Sequence, residues 1–198
     1  MNSQLVGEVS GHVSALLEAR LPEGCRYHNH AHTAEVAAAC LEIGRALGLP
    51  DEELEILQIA GWFHDTGYIE IREGHEAVGA RYAEEFLAGR DIPSGVTARV
   101  ARCILATHYP QHPGSLIEEV ICDADLIYLG RDRYTDQSNA LREEWRLMLG
   151  LVYSDAEWLE SNIEFLDGRV YHTPYARSRY GAARQRNLER LIAIRDGG

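Results

Sequence analysis

The sequence lacks the features of membrane-spanning, secreted and duplex-binding proteins. Among its 198 residues, no apolar run approaches the ~20 residues that a bilayer-spanning helix needs. No basic segment followed by an apolar run opens the chain, so no signal peptide is expected. The formal net charge of −12 disfavours binding to nucleic acid phosphates as the main activity. We therefore expect a soluble cytoplasmic protein that binds neither a membrane nor duplex nucleic acid.

Cysteine is scarce and lysine is absent. The four cysteines show no CxxC spacing, and three of them lie among apolar residues. We expect buried thiols, which suit a reducing compartment. Because there is no lysine, all 19 basic residues are arginines, several of them near the C-terminus. Most of these C-terminal arginines are expected to pair with acidic helix faces, and a phosphate contact is the alternative.

Helical periodicity runs through the whole chain and predicts an all-α fold. Apolar residues recur at helix spacing, and glycine or proline residues separate the segments. Asp51 is expected to be an N-cap, and Ser115 with Glu118 resembles a capping box. The predicted helices are a segment before Leu21 and residues of about 30–47, 51–67, 75–87, 96–107, 115–129, 141–149, 155–166 and 175–194.

The domain organisation follows from length and composition. Apolar residues make up 45% of the chain, and no alternation is long enough for a sheet. We predict a single helical bundle over residues 1–198. Within it, a metal-binding core is expected at about residues 26–130 and C-terminal helices at about 131–195.

Side chains that commonly bind metals lie at buried positions of three predicted helices. His32 lies near the start of the second helix, His64 and Asp65 close the third after an apolar run, and Asp125 lies inside a later apolar helix. Burying such groups costs free energy unless a partner satisfies them, and a metal ion would do so. A single histidine on a helix is more often structural, but the joint pattern predicts a metal site.

The same residues resemble the HD-domain superfamily of metal-dependent phosphohydrolases, whose pattern is H…HD…D. The stretch from Tyr27 to Val36 is similar to the YHNxxHTxxV of that family, and the doublet stands in GWFHDTG. The last aspartate stands in DADL, where a preceding small residue selects Asp125 over Asp123. Further similarity around His75 and near the C-terminus resembles a small bacterial HD subgroup and extends over nearly the whole chain.

The resemblance implies a ligand set and a chemistry. His32, His64, Asp65 and Asp125 would hold a divalent cation, and Asp65 would take part in catalysis by bridging to a second ion. Mixed nitrogen and oxygen ligands suit Mn, Fe, Co, Ni, Zn or Mg, with one or two ions per chain. Such a cation acidifies a bound water and offsets charge on the phosphoryl oxygens.

Several further residues are candidates for roles in the site. His75 and His108 are candidate ligands of a second metal or contacts to substrate phosphate, and surface or capping roles are the alternatives. His28 matches a histidine that protonates the leaving oxygen in cyclic-nucleotide phosphodiesterases, with an orienting role as the alternative. Arg131 and Arg81 are candidate phosphate contacts or partners of nearby acidic residues.

These features predict metal-dependent hydrolysis of a phosphate ester, with a nucleotide or another small phosphorylated metabolite as substrate. One alternative is a cyclic-nucleotide phosphodiesterase, favoured by the YHNxxH stretch. A metal-stabilised regulatory or ligand-binding domain without turnover is another, and a two-iron oxygenase is a third. Tyr68 stands where some subgroups carry a lysine, which argues against the cyclic-di-nucleotide enzymes with the HD-GYP pattern. The oligomeric state stays open, with a homodimer as one alternative.

Overall fold

A computed structural model describes residues 3–90 and 92–197, without the side chain of residue 3. These residues form nine α-helices and two short 3-10 helices, and they include no β-strand. The prediction of an all-α fold is confirmed. No helix in the described ranges is both long and apolar enough to cross a membrane. All four cysteines are free and buried.

The chain divides into two compact units. The first contains the N-terminal chain through Pro22 together with His28–Asp125. The second contains Glu23–Tyr27 and the chain from Leu126 onward. The single domain over residues 1–198 stays a prediction.

The first unit is organised around its third helix. Its elements are α1 (Ser3–Arg20), α2 (His30–Ala46), α3 (Asp51–Phe63), the 3-10 helix η1 (Thr66–Ile69), α4 (His75–Ala88), α5 (Ser94–Ala106) and α6 (Leu116–Asp125). Helix α3 packs against α1, α2, α5 and α6, and Ile56, Leu57, Ile59 and Phe63 on it are fully buried. A central apolar helix of this kind delivers its C-terminal end into the interior of the unit.

Gly61 allows the first half of α2 to lie close against the second half of α3. A Cβ atom at Gly61 would lie only 2.8 Å from Cα of Ala37. Any side chain at this position would therefore force the two helices apart. The close approach brings the start of α2 next to the end of α3.

The second unit contains the 3-10 helix η2 (Ile127–Gly130), α7 (Tyr134–Leu149), α8 (Asp155–Asp167) and α9 (Pro174–Arg195). Its core consists of buried aromatic and aliphatic residues: Tyr27, Tyr128, Leu129, Tyr134, Ile163, Leu166 and Leu188. A capping box of Ser154 and Glu157 begins α8, and the Thr173 side chain caps α9.

Several predicted helix details are wrong. The segment 51–67 ends as a helix at Phe63, and its N-cap is Pro50, with Asp51 as the first helical residue. The segment 115–129 is helical only to Asp125 and continues as η2. Glu118 accepts a hydrogen bond from the N–H of Gly114 at 2.7 Å. The expected capping box requires the N–H of the next residue, Ser115, as the donor.

Helix α7 and two of the C-terminal arginines also differ from expectation. Helix α7 begins at Tyr134, well before the predicted residue 141. The early start was not predicted because the buried face of the helix includes the polar residues Ser138 and Glu144 and shows no apolar period in the sequence. Arg177 donates to the main-chain oxygens of residues 171 and 172, and Arg184 donates to that of residue 166, where acidic partners were expected.

Candidate metal centre

The N-cap of α2 places His32 in the interior of the first unit. The Asn29 side chain accepts hydrogen bonds from the N–H groups of Ala31, at 2.9 Å, and His32, at 3.3 Å. These bonds satisfy main-chain donors that the first turn leaves without partners, so the helix begins at His30. His32 then lies on the inner face of the first turn and is buried, whereas His30 is exposed.

His64 and Asp65 lie where α3 ends. The His64 main-chain N–H still bonds to Ala60 O, and its Nδ1 atom lies 2.8 Å from Gly61 O. Because a carbonyl oxygen can only accept, Nδ1 of His64 carries the proton in this contact. In the neutral imidazole, Nε2 is then the ring nitrogen with a lone pair. Metal-binding histidines commonly donate their other ring N–H to a carbonyl in this way.

Four side chains from three parts of the first unit converge on one point. The Nε2 atoms of His32 and His64 lie 3.4 Å apart. Asp65 Oδ2 lies 3.2 Å from the His32 Nε2 atom and 3.1 Å from the His64 Nε2 atom. Asp125 Oδ1, from the last residue of α6, lies 3.4 and 3.7 Å from the same two nitrogens.

This donor set fits a divalent cation. Ligand atoms bound ~2.1 Å from one ion in tetrahedral or octahedral geometry lie about 3.0–3.4 Å from each other. Asp65 Oδ2 is buried, and within residues 3–90 and 92–197 it accepts no hydrogen bond of acceptable direction despite its two imidazole neighbours. A buried carboxylate oxygen without directed donors is costly unless a cation satisfies it. His32, His64 and Asp125 offer ligand atoms within 4.8 Å of one another.

The electrostatics of the centre favour a bound positive charge. Burial by itself lowers the pKa of His32, but the close carboxylates of Asp125 and Asp65 together outweigh it and raise this pKa to about 9. Burial also lowers the pKa of His64, but the carboxylates of Asp65 and Asp125 together outweigh it and raise this pKa well above its usual value. Burial raises the pKa of Asp125, but bonds from His32 and His64 lower it to about 2. A divalent cation would displace the imidazole protons.

Asp65 faces a further histidine with its second oxygen. Nε2 of His75, the first residue of α4, lies 3.2 Å from Asp65 Oδ1. The His75 Nδ1 atom lies 2.6 Å from Arg72 O and therefore carries a proton. Burial lowers the pKa of His75, but the carboxylates of Asp65 and Glu76 and the hydrogen bond to Arg72 O together outweigh burial and raise this pKa. The structure thus brings His75 beside the centre.

Glu76 and Gln111 are neighbours of the site that sequence reasoning missed. The buried Glu76 places Oε1 3.1 Å from Nδ1 of His108 and 3.7 Å from Nε2 of His75. His108 itself is 61% exposed. The Gln111 amide lies 3.5 Å from Asp125 Oδ2. A glutamate in the first turn of a helix is common for electrostatic reasons, so Glu76 had no distinguishing signal in the sequence.

His28 lies beside the centre in a group of rings. Its ring centroid is 5.9 Å from that of His32 and 6.4 Å from that of His75. Tyr68, from η1, stacks on His28 with centroids 4.0 Å apart and an interplanar angle of 13°. The Tyr68 ring also lies 4.2 Å from that of His75. Sequence reasoning assigned Tyr68 no role in the site.

The two candidate phosphate-binding arginines have other neighbours. Arg131 belongs to the second unit, where its guanidinium lies 5.1 Å from the centroid of the Tyr180 ring. Arg81 pairs with Glu70 at 2.9 Å and with Glu85 at 3.0 Å, in agreement with the acidic-partner alternative. Asp123, the alternative to Asp125, is buried in the same helix.

The described residues thus combine an all-helical fold with a centre of two buried histidines and two aspartates. The model of the HD domain family matches residues 29–129, about half of the chain, and this range contains all four converging residues. The chain therefore belongs to the HD domain family. Members of this family bind divalent metals and are generally metal-dependent hydrolases. Searches of curated proteins and of solved structures gave no match.

Proposed function

We propose that this chain hydrolyses a small phosphate ester at a site where His32, His64, Asp65 and Asp125 hold a divalent cation. The convergence of these side chains, with contacts of 3.1–3.7 Å around the imidazole nitrogens, carries the proposal. The cation would be Mn, Fe, Co, Ni, Zn or Mg. The substrate would be a nucleotide or another small phosphorylated metabolite of the cytoplasm, and the chain would belong to a small bacterial HD subgroup.

A bound cation would supply a water of lowered pKa and would offset charge on the phosphoryl oxygens. The remaining roles in the proposed reaction are assigned to side chains of the site. His64 keeps its Nε2 lone pair toward the centre because Nδ1 donates to Gly61 O. Asp65, with its two oxygens facing different histidines, would join the centre to a second ion or to phosphate held by His75 and His108.

His28 is the proposed general acid. In the reaction, the water oxygen forms a bond to phosphorus, and the bond from phosphorus to the leaving oxygen breaks. The leaving oxygen takes up a proton from the His28 imidazole, and the proton lost by the water returns to the imidazole through solvent. The position of His28 supports this role, because its ring contacts those of His32 and His75.

A cyclic-nucleotide phosphodiesterase is the second candidate, favoured by this position of His28. A diester leaving group is an alkoxide, which depends on protonation more than an activated phenolate does. Comparison of 4-nitrophenyl phosphate with bis(4-nitrophenyl) phosphate separates a monoesterase from a diesterase. Hydrolysis of the diester alone would favour the second candidate.

The test of the proposal combines metal content with turnover. We expect the purified protein to retain Mn²⁺ and to hydrolyse at least one of the two aryl esters, and His64→Gln and Asp125→Asn to lose both properties. His30→Gln is the matched control, because His30 lies on the same helix turn as His32 but is exposed. Fully metallated wild-type protein that hydrolyses neither ester nor any member of a broad nucleotide panel would overturn the proposal. That outcome would favour a metal-stabilised binding domain. If the protein with ferrous iron then consumed oxygen, it would favour an oxygenase.

A further inference from the structure

The contact between Tyr68 and His28 is as short as a hydrogen bond, but the two rings are not oriented for one. The Tyr68 hydroxyl lies 3.2 Å from His28 Nε2. The two rings are nearly parallel, at 13°, and their centroids are only 4.0 Å apart. In this arrangement the phenol oxygen lies over the face of the imidazole nitrogen, whereas the N–H bond and the lone pair of an imidazole lie in the ring plane. The contact is therefore one of stacking.

The segment that carries Tyr68 is held at both ends. On one side, a Cβ atom at Gly67 would lie 2.0 Å from His75 O, so η1 presses directly on the start of α4. On the other side, Glu70 accepts hydrogen bonds from Arg81 at 2.9 and 3.0 Å and from the Tyr82 hydroxyl at 2.5 Å. Tyr68 lies between these two attachments and is half-buried. The main chain at Tyr68 is therefore held in place, and the ring itself packs between those of His28 and His75.

We infer that Tyr68 is a positioning residue that acts through His28: its ring fixes the plane of the imidazole and so the directions in which the ring nitrogens point. This inference rests on the proposed function, in which His28 protonates the leaving oxygen. Effective proton transfer requires the acid within hydrogen-bond reach of the leaving oxygen, so a freely rotating imidazole would be a poorer acid. The aromatic ring matters in this role, and the hydroxyl does not.

Leaving-group dependence tests the inference. The test uses aryl phosphate esters of the class that the wild type hydrolyses, monoesters or diesters, with 4-nitrophenol and with phenol as leaving groups. The two leaving groups differ in their need for a proton, since 4-nitrophenolate leaves readily without one. We expect Tyr68→Leu to lower kcat for the phenyl ester about tenfold, a fraction of the contribution of a general acid, and to leave the 4-nitrophenyl ester nearly unchanged. Tyr68→Phe, which keeps the ring, should match the wild type on both esters.

A double-mutant cycle separates positioning from a general structural effect. If Tyr68 acts through His28, then Tyr68→Leu should cause no further loss on the phenyl ester in a His28→Gln background. Additive losses, or equal losses on both esters, would overturn the inference while leaving the proposed function in place. A wild-type protein without turnover would overturn the proposed function, and the inference with it.

A measurement without turnover checks the contact itself. The carbon-bound imidazole protons of His28 should show the upfield NMR shift of protons above an aromatic ring. We expect this shift to persist in Tyr68→Phe and to disappear in Tyr68→Leu, with metal content and thermal midpoint equal to those of the wild type. A wild-type spectrum without the shift would show that the two rings do not stack, and the inference would fail whatever the activity.

Discussion

Oδ1 of Asp65 lies 3.2 Å from Nε2 of His75, while Oδ2 of the same carboxylate faces the candidate metal centre. One carboxylate therefore joins two groups of potential ligands that stand at the end of α3 and the start of α4. A carboxylate used in this way commonly bridges two metal ions or one ion and a phosphate-binding histidine. Substitution of His75 can therefore test how many ions the protein binds.

Replacing His75 should change metal stoichiometry without emptying the first site. We expect wild-type protein to bind two Mn²⁺ ions per chain and His75→Gln to bind one, because the main ligand set of His32, His64 and Asp125 stays intact. Equilibrium dialysis with metal analysis measures both values. Wild-type protein that binds a single ion, with no change in His75→Gln, would contradict the second-ion role. A raised KM for the phosphate ester in that variant would then favour the phosphate-binding role.

Metal affinity should rise with pH. The pKa of His32 in the metal-free protein is raised to about 9 by Asp125 and Asp65 against the effect of burial. At neutral pH this imidazole holds a proton that must leave before a cation binds. Each proton displaced per ion changes the association constant about tenfold per pH unit. We therefore expect Mn²⁺ affinity to increase at least about tenfold for each unit between pH 6 and pH 8.

Calorimetry in two buffers of different ionisation enthalpy would measure this proton release directly. Affinity that is constant with pH, with no proton released, would contradict the prediction. The same raised pKa has a consequence for folding of the metal-free protein. The stabilising contribution of the charged His32 is complete below its ordinary pKa of 6.5 and is lost as the pH rises through about 9.

Gly61→Ala should weaken both the fold and the centre. The added methyl group would lie 2.8 Å from Cα of Ala37, and main-chain atoms of this kind cannot move aside cheaply. Overpacking typically costs about 1–3 kcal/mol, which exceeds the gain of less than about 1 kcal/mol from replacing a helical glycine by alanine. We expect a lower thermal midpoint and weaker Mn²⁺ binding, because α2 and α3 carry His32 and His64.

Gly11→Ala is the matched control for this change. Gly11 also lies inside a helix, α1, but no atom lies within 4 Å of a Cβ built there. Helix propensity alone should then apply, and the thermal midpoint should stay unchanged or rise by a few degrees. If both substitutions shifted the midpoint in the same direction and by the same amount, close approach at Gly61 would not be the cause.

Asn162→Ala should destabilise the second unit. Asn162 Oδ1 accepts hydrogen bonds from the buried Tyr134 hydroxyl at 2.5 Å and from Ser138 at 2.6 Å. Loss of this acceptor leaves the buried Tyr134 hydroxyl and the proton of the Ser138 hydroxyl without an acceptor, although Ser138 still accepts from Trp158 at 3.0 Å. An unsatisfied buried group costs about 1–3 kcal/mol. Chemical denaturation should show the loss, and Asn139→Ala, at an exposed position next to Ser138, should cost less than about 0.5 kcal/mol. Equal effects of the two variants would contradict the role of Asn162.

The fold class was accessible from the sequence because apolar period and helix-breaking residues are local signals. Helices with an apolar inner face, such as α2 and α4, were predicted with ends near those observed. Helix α7 was the weakest prediction, since Ser138 and Glu144 occupy its buried face and their partners are distant in the chain. A polar residue that is buried by a tertiary hydrogen bond leaves no periodic signal.

For the candidate site, the sequence by itself determined the residue types: a histidine at a helix start, a His-Asp doublet at a buried helix end and an aspartate in a later apolar helix. Their spacing along the chain was enough to indicate a metal. Only the tertiary structure decided which atoms meet, including the two directions of the Asp65 carboxylate, the place of Glu76 and the stacking of Tyr68 on His28. The physical reason is that such contacts join distant residues, 40 positions apart for Tyr68 and His28 and 93 for His32 and Asp125. Their distances depend on how closely the helices pack.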